Sequence, residues 1–305
     1  MEWGIAINLR EPVHETIEKA VLADKGGIDT VWITDYPATR ISPILASVVA
    51  QKTEHCRIGI GLLSPLIFSP SQIIRYLSSL IDLYGDRFDL LIGPGDRTRL
   101  KEIGIDYGEI STIAERMAES ITTIREGLSD YKDYKIFLGA QGEKMIKKSV
   151  AAHGVLFNYS DPVMIQWASS ILRKKPNGFK MGIFPPALVG SRKLCKEHVG
   201  IMGSAAVVAL GLGPSIMKRF ELSKELQTAR REIKKHGMTN DVIKMIDFNT
   251  LSRFFLCGED EHTFNRLKTY EKLGVEHIVF GPPQGTNLRG VQQLVDTRKR
   301  FYHSI

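Results

Sequence analysis

Cysteine is scarce in this chain of 305 residues: Cys56, Cys195 and Cys257 lie far apart, and no C-x-x-C pair occurs. That spacing speaks against a zinc ribbon or a disulfide framework, so buried, unpaired thiols are expected. Long apolar runs are missing too. The two longest, 201–212 and 58–68, are shorter than the ~20 residues that span a bilayer and are broken by Gly, Ser or Pro. No membrane span is therefore expected. The amino terminus carries Glu2 and no basic segment. It reads as a first strand rather than a signal peptide, and a cytoplasmic protein is expected.

Several cofactor and catalytic signatures are also absent. A dinucleotide fold needs G-x-G-x-x-G directly after its first strand, and here that place reads Asn8-Leu9-Arg10-Glu11-Pro12. There is no G-x-x-x-x-G-K-[ST] for a phosphate-binding loop and no G-x-S-x-G for a nucleophilic serine. The eight histidines show neither H-x-x-x-H nor H-E-x-x-H spacing, so no metal centre is expected. Basic residues exceed acidic ones by 41 to 34, a net charge of +7, with local clusters at 173–175, 230–236 and 298–300. These read as solvated helix faces or ends, because no nucleic-acid-reading element accompanies them. A modest positive charge also suits an anionic small ligand.

What is present is an alternation of short β-branched runs with helical patterns. Strands are expected at 2–8, 30–34, 57–63, 88–92, 135–138, 155–158, 179–184 and 276–280, with helices between them. The helix at 112–128 is typical: Ile113, Met117, Ile121, Ile124 and Leu128 recur at helical spacing. Eight strands, nearly all followed by a helix, demand parallel pairing through crossovers. The simplest closure is a (β/α)8 TIM barrel within one domain, 1–305. The stretch 188–274 breaks the rhythm and reads as a helical insertion, without a clear strand, before the last strand.

In such a barrel ligands bind at the carboxyl ends of the strands. Strand two ends in Thr34-Asp35-Tyr36, which puts a carboxylate at the rim. Strand three ends in Gly59-Ile60-Gly61-Leu62-Leu63-Ser64-Pro65, where two glycines in an apolar strand suggest a bulge, a close backbone approach by a ligand, or packing against a large neighbour. Strand four ends in Gly93-Pro94-Gly95-Asp96, whose amides suit an anion. Strand five ends in Gly139-Ala140-Gln141-Gly142, small residues that leave room for a flat ring or make a tight turn.

Taken in order, four segments resemble the methylenetetrahydromethanopterin reductases of the bacterial-luciferase-like superfamily. They are Val31-Trp32-Ile33-Thr34-Asp35; Gly59-x-Gly61 with Ser64-Pro65; Ile92-Gly93-Pro94-Gly95-Asp96-Arg97 with Leu100 and Ile103-Gly104-Ile105; and Leu138-Gly139-Ala140-Gln141-Gly142-Glu143-Lys144-Met145. Val279-Phe280-Gly281-Pro282 extends the resemblance almost to the carboxyl terminus. It implies a barrel that binds the deazaflavin coenzyme F420 and moves hydride between that ring and a pterin-bound one-carbon group or another small organic substrate. It also implies a cis peptide at Gly61–Leu62 behind the ring and a homodimer. The candidate catalytic residues are Asp35 and Tyr36. The candidate cofactor-binding residues are Gly61, Leu62, Gly93, Gly95, Asp96, Ala140, Gln141 and Gly142.

The chain departs from that family at three places. Ala6, with Asn8 nearby, stands where an acid is usual, Tyr36 replaces a histidine, and the connection 129–134 is short. The cofactor shell is thus better kept than the substrate shell. Three readings follow: an F420-dependent oxidoreductase, a flavin mononucleotide (FMN) dependent monooxygenase of the same superfamily, and a non-catalytic deazaflavin-binding paralogue.

Overall fold

The computed structural model describes residues 1–7, 11–36, 40–109, 112–190 and 195–304; Asn8 lies outside them. The apolar runs become β1 (Glu2–Ile7), β2 (Thr30–Thr34), β3 (Arg57–Leu63), β4 (Phe88–Ile92), β5 (Lys135–Ala140), β6 (Gly154–Phe157), β7 (Lys180–Ile183), β8 (Ala187–Val189), β9 (Leu256–Gly258) and β10 (His277–Phe280). β1 to β7 and β10 pair in sequence around a closed, wholly parallel barrel, with β10 returning to β1. Helices cover its outside, giving the (β/α)8 architecture. Local chemistry sets their ends: the helix Pro70–Tyr84 starts with proline behind a Ser69–Gln72 capping box and stops at Gly85, whose φ is +81°. Among the described residues no helix is long and apolar enough to cross a membrane.

Two expectations for the insertion need correction. It is not wholly helical, because β8 and β9 bracket its helices and pair with each other in parallel. Three-residue strands are too short to show a period. Nor are all the thiols free. Cys195 and Cys257 form a disulfide, with Cα atoms 6.1 Å apart, and Cys56 alone is a free, buried cysteine. The chain leaves the barrel after β7, passes through β8, folds as helices and comes back through β9, so two cysteines 62 residues apart in sequence become neighbours.

Strand alternation divides the core in two. Trp3, Ile5, Ile7 and their counterparts face the helices in the larger cluster. The barrel lumen holds Ala6, Trp32, Leu91, Phe137, Leu156 and Val279, with Leu62 and Phe184 packed on them. Trp32 is the plug. Its Nε1–H donates to His277 Nε2 at 3.1 Å, and a Cβ on Gly59 would run into its indole ring. Gly59 is therefore explained by packing rather than by a ligand. Burial pushes His277 down to about 4, so its imidazole is neutral and free to accept that bond. Below the plug the amino-terminal end is charged: Arg57 forks Asp89 with Nε–Oδ2 2.9 Å and Nη2–Oδ1 2.7 Å, and Lys180 pairs with Glu2.

Candidate active site

Parallel pairing brings the ends of β2 to β5 to one rim. At the end of β2, the Asp35 N–H donates to the Gly61 carbonyl at 3.0 Å, and Asp35 Oδ1 accepts the Ser42 N–H at 3.1 Å. Burial raises the Asp35 carboxyl above the usual carboxylate range, against the opposing pull of the Ser42 bonds. Tyr36 follows, half-buried, directly before residues 37–39, which lie outside the described set.

At the end of β3 the register with β4 shifts between Gly61 and Leu63, and the Gly61–Leu62 peptide is cis as expected. Gly61 has φ +147°, and a Cβ there would strike the Leu91 carbonyl, so glycine alone fits. The bulge turns Leu62 into the lumen, where it lies over two other expected glycines. A Cβ on Gly93 would come within 2.5 Å of Leu62 Cδ1, and one on Gly139 within 3.3 Å. Ser64 ties this loop to the next by donating from Oγ to the Pro94 carbonyl at 2.9 Å.

The β4 loop divides its expected roles differently from the sequence reading. The Gly93 N–H donates to the Leu63 carbonyl at 3.2 Å and is not available to an anion; Gly93 instead makes room for Leu62. Asp96 caps the helix Arg97–Glu102, its Oδ1 accepting the Arg99 N–H at 2.9 Å. Gly95 has φ +84°, with only ordinary contacts around the place of a Cβ. Among the described residues the Gly95 and Asp96 amides have no hydrogen-bond partner. Those two amides are the donors left for an anion.

β5 runs two residues further than expected, and alternation then decides which side chains reach the lumen. Ala140 faces the helix layer, so the space expected of it is supplied by Gly139 instead. Gln141 Nε2 donates to Asn158 Oδ1 after β6 at 3.0 Å. Gly142 faces the insertion, where a Cβ would sit 3.5 Å from Ile216 Cδ1. Sequence reasoning missed Asn158, Phe184 and the insertion helix Val199–Gly211. That helix was expected only as an unspecified part of the helical insertion 188–274 and as an apolar run too short for a membrane.

Ala6 is wholly buried in the lumen cluster, level with Trp32 in the β1–β2 register. Two surface clefts lie at the amino-terminal ends of strands, one beside Glu2, Asp29 and Lys180 and the other beside Tyr134 and His153. Neither touches the rim residues. Among the described residues no group of three or more His, Cys, Asp or Glu side chains is placed to hold a metal ion.

A parallel eightfold barrel with a bulged third strand and an insertion before its last strand has known relatives. Residues 2–277 match the family model described as luciferase-like monooxygenase. The chain belongs to this family. It is 25% identical over 323 residues to the 5,10-methylenetetrahydromethanopterin reductase of Archaeoglobus fulgidus, covering 97% of each chain. It is 28% identical to an F420-dependent glucose-6-phosphate dehydrogenase of Microbacterium testaceum, covering 94% of each. Among solved structures, the coenzyme F420-dependent tetrahydromethanopterin reductase of Methanopyrus kandleri superposes with a TM-score of 0.84 at 18% identity, over 98% of this chain and 99% of that one. An F420-dependent secondary alcohol dehydrogenase superposes with a TM-score of 0.69 at 12% identity, over 97% of each chain. Within the luciferase-like family, this chain therefore resembles enzymes that use one deazaflavin on chemically different substrates.

Proposed function

We propose that this luciferase-like protein is an F420-dependent oxidoreductase whose deazaflavin lies against the Gly61–Leu62 bulge. The observation that carries the reading is the Leu62 platform. Three glycines at the ends of neighbouring strands, Gly61, Gly93 and Gly139, let one leucine lie across the barrel mouth, and any Cβ at Gly61 or Gly93 would collide with its surroundings. An apolar platform at the mouth suits one face of a flat ring. The partnerless Gly95 and Asp96 amides beside it suit the anionic tail, with the Asp96 carboxylate turned away into its cap. The residues present therefore fit the cofactor that the curated relatives use.

When bound, F420 supplies a ring carbon that accepts or gives up hydride. A substrate oxidised there would give up a hydride to that carbon and a proton to a group of the protein, so that two electrons and both hydrogens are accounted for. The protein's part is chiefly position, since hydride transfer needs the reacting atoms about 3–3.5 Å apart. Asp35 is our candidate to take or return the accompanying proton. Its Oδ1 is engaged by Ser42, which leaves Oδ2, and burial has already raised its affinity for a proton. With Ala6 in place of the family acid, methylenetetrahydromethanopterin is expected to be reduced poorly or not at all.

Equilibrium titration of the purified protein with F420 and with FMN tests this reading. F420 should bind at least tenfold more tightly, and Gly95→Val should weaken it. Preferential binding of FMN would overturn the cofactor assignment.

A further inference from the structure

The amino-terminal end of the barrel, opposite the rim, carries a layer of polar side chains. Strand alternation places Glu2 of β1, Arg57 of β3, Asp89 of β4, Lys135 of β5, Lys180 of β7 and His277 of β10 on the lumen faces of their strands, below the Trp32 plug. With His277 neutral, three basic side chains face two acidic ones. Two pairs close: Arg57 forks Asp89, with Nη2–Oδ1 at 2.7 Å, and Lys180 meets Glu2. Lys135 is left over. Its backbone N–H donates to Asp89 Oδ1 at 2.9 Å, but among the described residues its Nζ has no carboxylate within ion-pair distance.

The neighbour that Lys135 has instead is Lys180. β6 runs between their two strands and meets Lys180 with Gly154, where a Cβ would lie 2.5 Å from the Lys180 carbonyl and 2.7 Å from the Phe137 ring. No side chain from β6 separates the two lysines, and they come within hydrogen-bonding reach. Two ammonium groups cannot share a hydrogen bond, since each has donors and no acceptor. One must therefore be a free amine. Glu2 holds the proton on Lys180, so the amine is Lys135, and with it neutral the charges of the layer balance two against two. Burial holds the Lys135 ammonium below the ordinary lysine range; Asp89 and Glu2 oppose this, while Lys180 and Arg57 add to it. His153, just before β6, is itself pushed down by burial and by Arg125, so it brings no charge. Clefts of about 390 and 420 Å³ open on this end, one lined by Glu2 and Lys180 and the other by Tyr134 and His153, and Lys135 is only partly buried.

We propose that Lys135 is a nucleophilic amine and a site of acylation by small acyl phosphates. The Nζ lone pair attacks the acyl carbon, and an N–C bond forms as the C–O bond to phosphate breaks. Phosphate leaves with that electron pair, and the nitrogen gives its extra proton to solvent. Such a reagent is small enough for the clefts and brings its own leaving group, so no further reactant is needed. The product amide is uncharged and keeps the layer balanced. Lys19, wholly buried against Glu11, is shielded from the same reagent. The site lies at the other end of the barrel from the rim and is independent of the F420 reading.

The test uses the whole protein. Trace labelling with acetic anhydride from about pH 6 to about pH 10, followed by peptide mass spectrometry, gives a rate at each lysine, and scaling each rate to its own plateau removes differences in access. Near neutral pH, Lys135 should stand at least tenfold closer to its plateau than the exposed Lys101 and Lys268. Acetyl phosphate should then acetylate Lys135 ahead of both. Lys180→Met frees Glu2 to hold a proton on Lys135 and should abolish the advantage; if that variant does not fold, the unsubstituted protein decides alone. A Lys135 profile superimposed on those of Lys101 and Lys268 would overturn the proposal. So would a Lys135 that acetyl phosphate leaves unmodified while those two react, or an unchanged profile in folded Lys180→Met protein.

Discussion

Leu62 Cδ1 occupies the space that a side chain at Gly93 would need, only 2.5 Å from the position of its Cβ. The contact is made by the far end of a side chain, so Gly93→Ala should fold by displacing Leu62. The expected cost is about 1–3 kcal/mol of overpacking, together with a loss of at least tenfold in F420 affinity. Melting curves and fluorescence titration of the same preparation check both parts.

Gly59 offers the contrast two residues before the bulge. A Cβ there meets the Trp32 indole, which is boxed between Gly4, Phe137 and His277 and cannot swing aside. Gly59→Ala should therefore reduce stability in urea by more than Gly93→Ala does, or prevent soluble folding. If it folded with native stability, the lumen would be looser than described.

Asp35 gives a pH-dependent prediction. Because burial raises its folded-state pKa above that of the unfolded chain, the native state gains relative stability below the ordinary carboxylate pKa. That gain is lost as pH rises through the folded value. Asp35→Asn keeps an oxygen for the Ser42 N–H and removes the penalty. It should be more stable than the wild type at pH 7, with the difference vanishing near pH 3 in urea titrations at each pH. Turnover should fall on the order of 100-fold or more, as expected for loss of a general acid or base, with F420 affinity unchanged.

The disulfide encloses the insertion helices within a 62-residue separation. Chain-entropy reasoning assigns such a loop about 4 kcal/mol. Cys195→Ser, or reduction of the wild type, should lower Tm by several degrees and speed proteolysis within 196–256, leaving the barrel strands protected. Calorimetry and limited proteolysis with fragment mapping test this.

The barrel was legible because its strands are apolar runs punctuated by Gly, Pro and helical periods. Thr30–Thr34, Arg57–Leu63 and Phe88–Ile92 form at the expected residues. The rim was legible in outline, since parallel pairing puts every strand end on one side. What each rim residue does there was not. Gly59 and Gly61 look alike in sequence, yet one yields to Trp32 and the other makes the bulge. Ala140 faced outward once β5 ran on past Leu138. The Val199–Gly211 helix carries apolar residues all round, so its sequence marks no face; it is oriented by burying Ile201, Ala205, Ala206 and Ala209 against the other insertion helices, which leaves Gly200 and Gly211 toward Pro283 and Gln141. The cis peptide came from family resemblance, because no period or propensity marks such a bond.

The most direct test of the cofactor bed is a crystal structure of the protein with F420 bound. The deazaflavin ring should lie against Gly61–Leu62, with the phosphate of its tail accepting from the Gly95 and Asp96 amides. A ring bound away from Leu62, or a phosphate held elsewhere on the barrel, would contradict it.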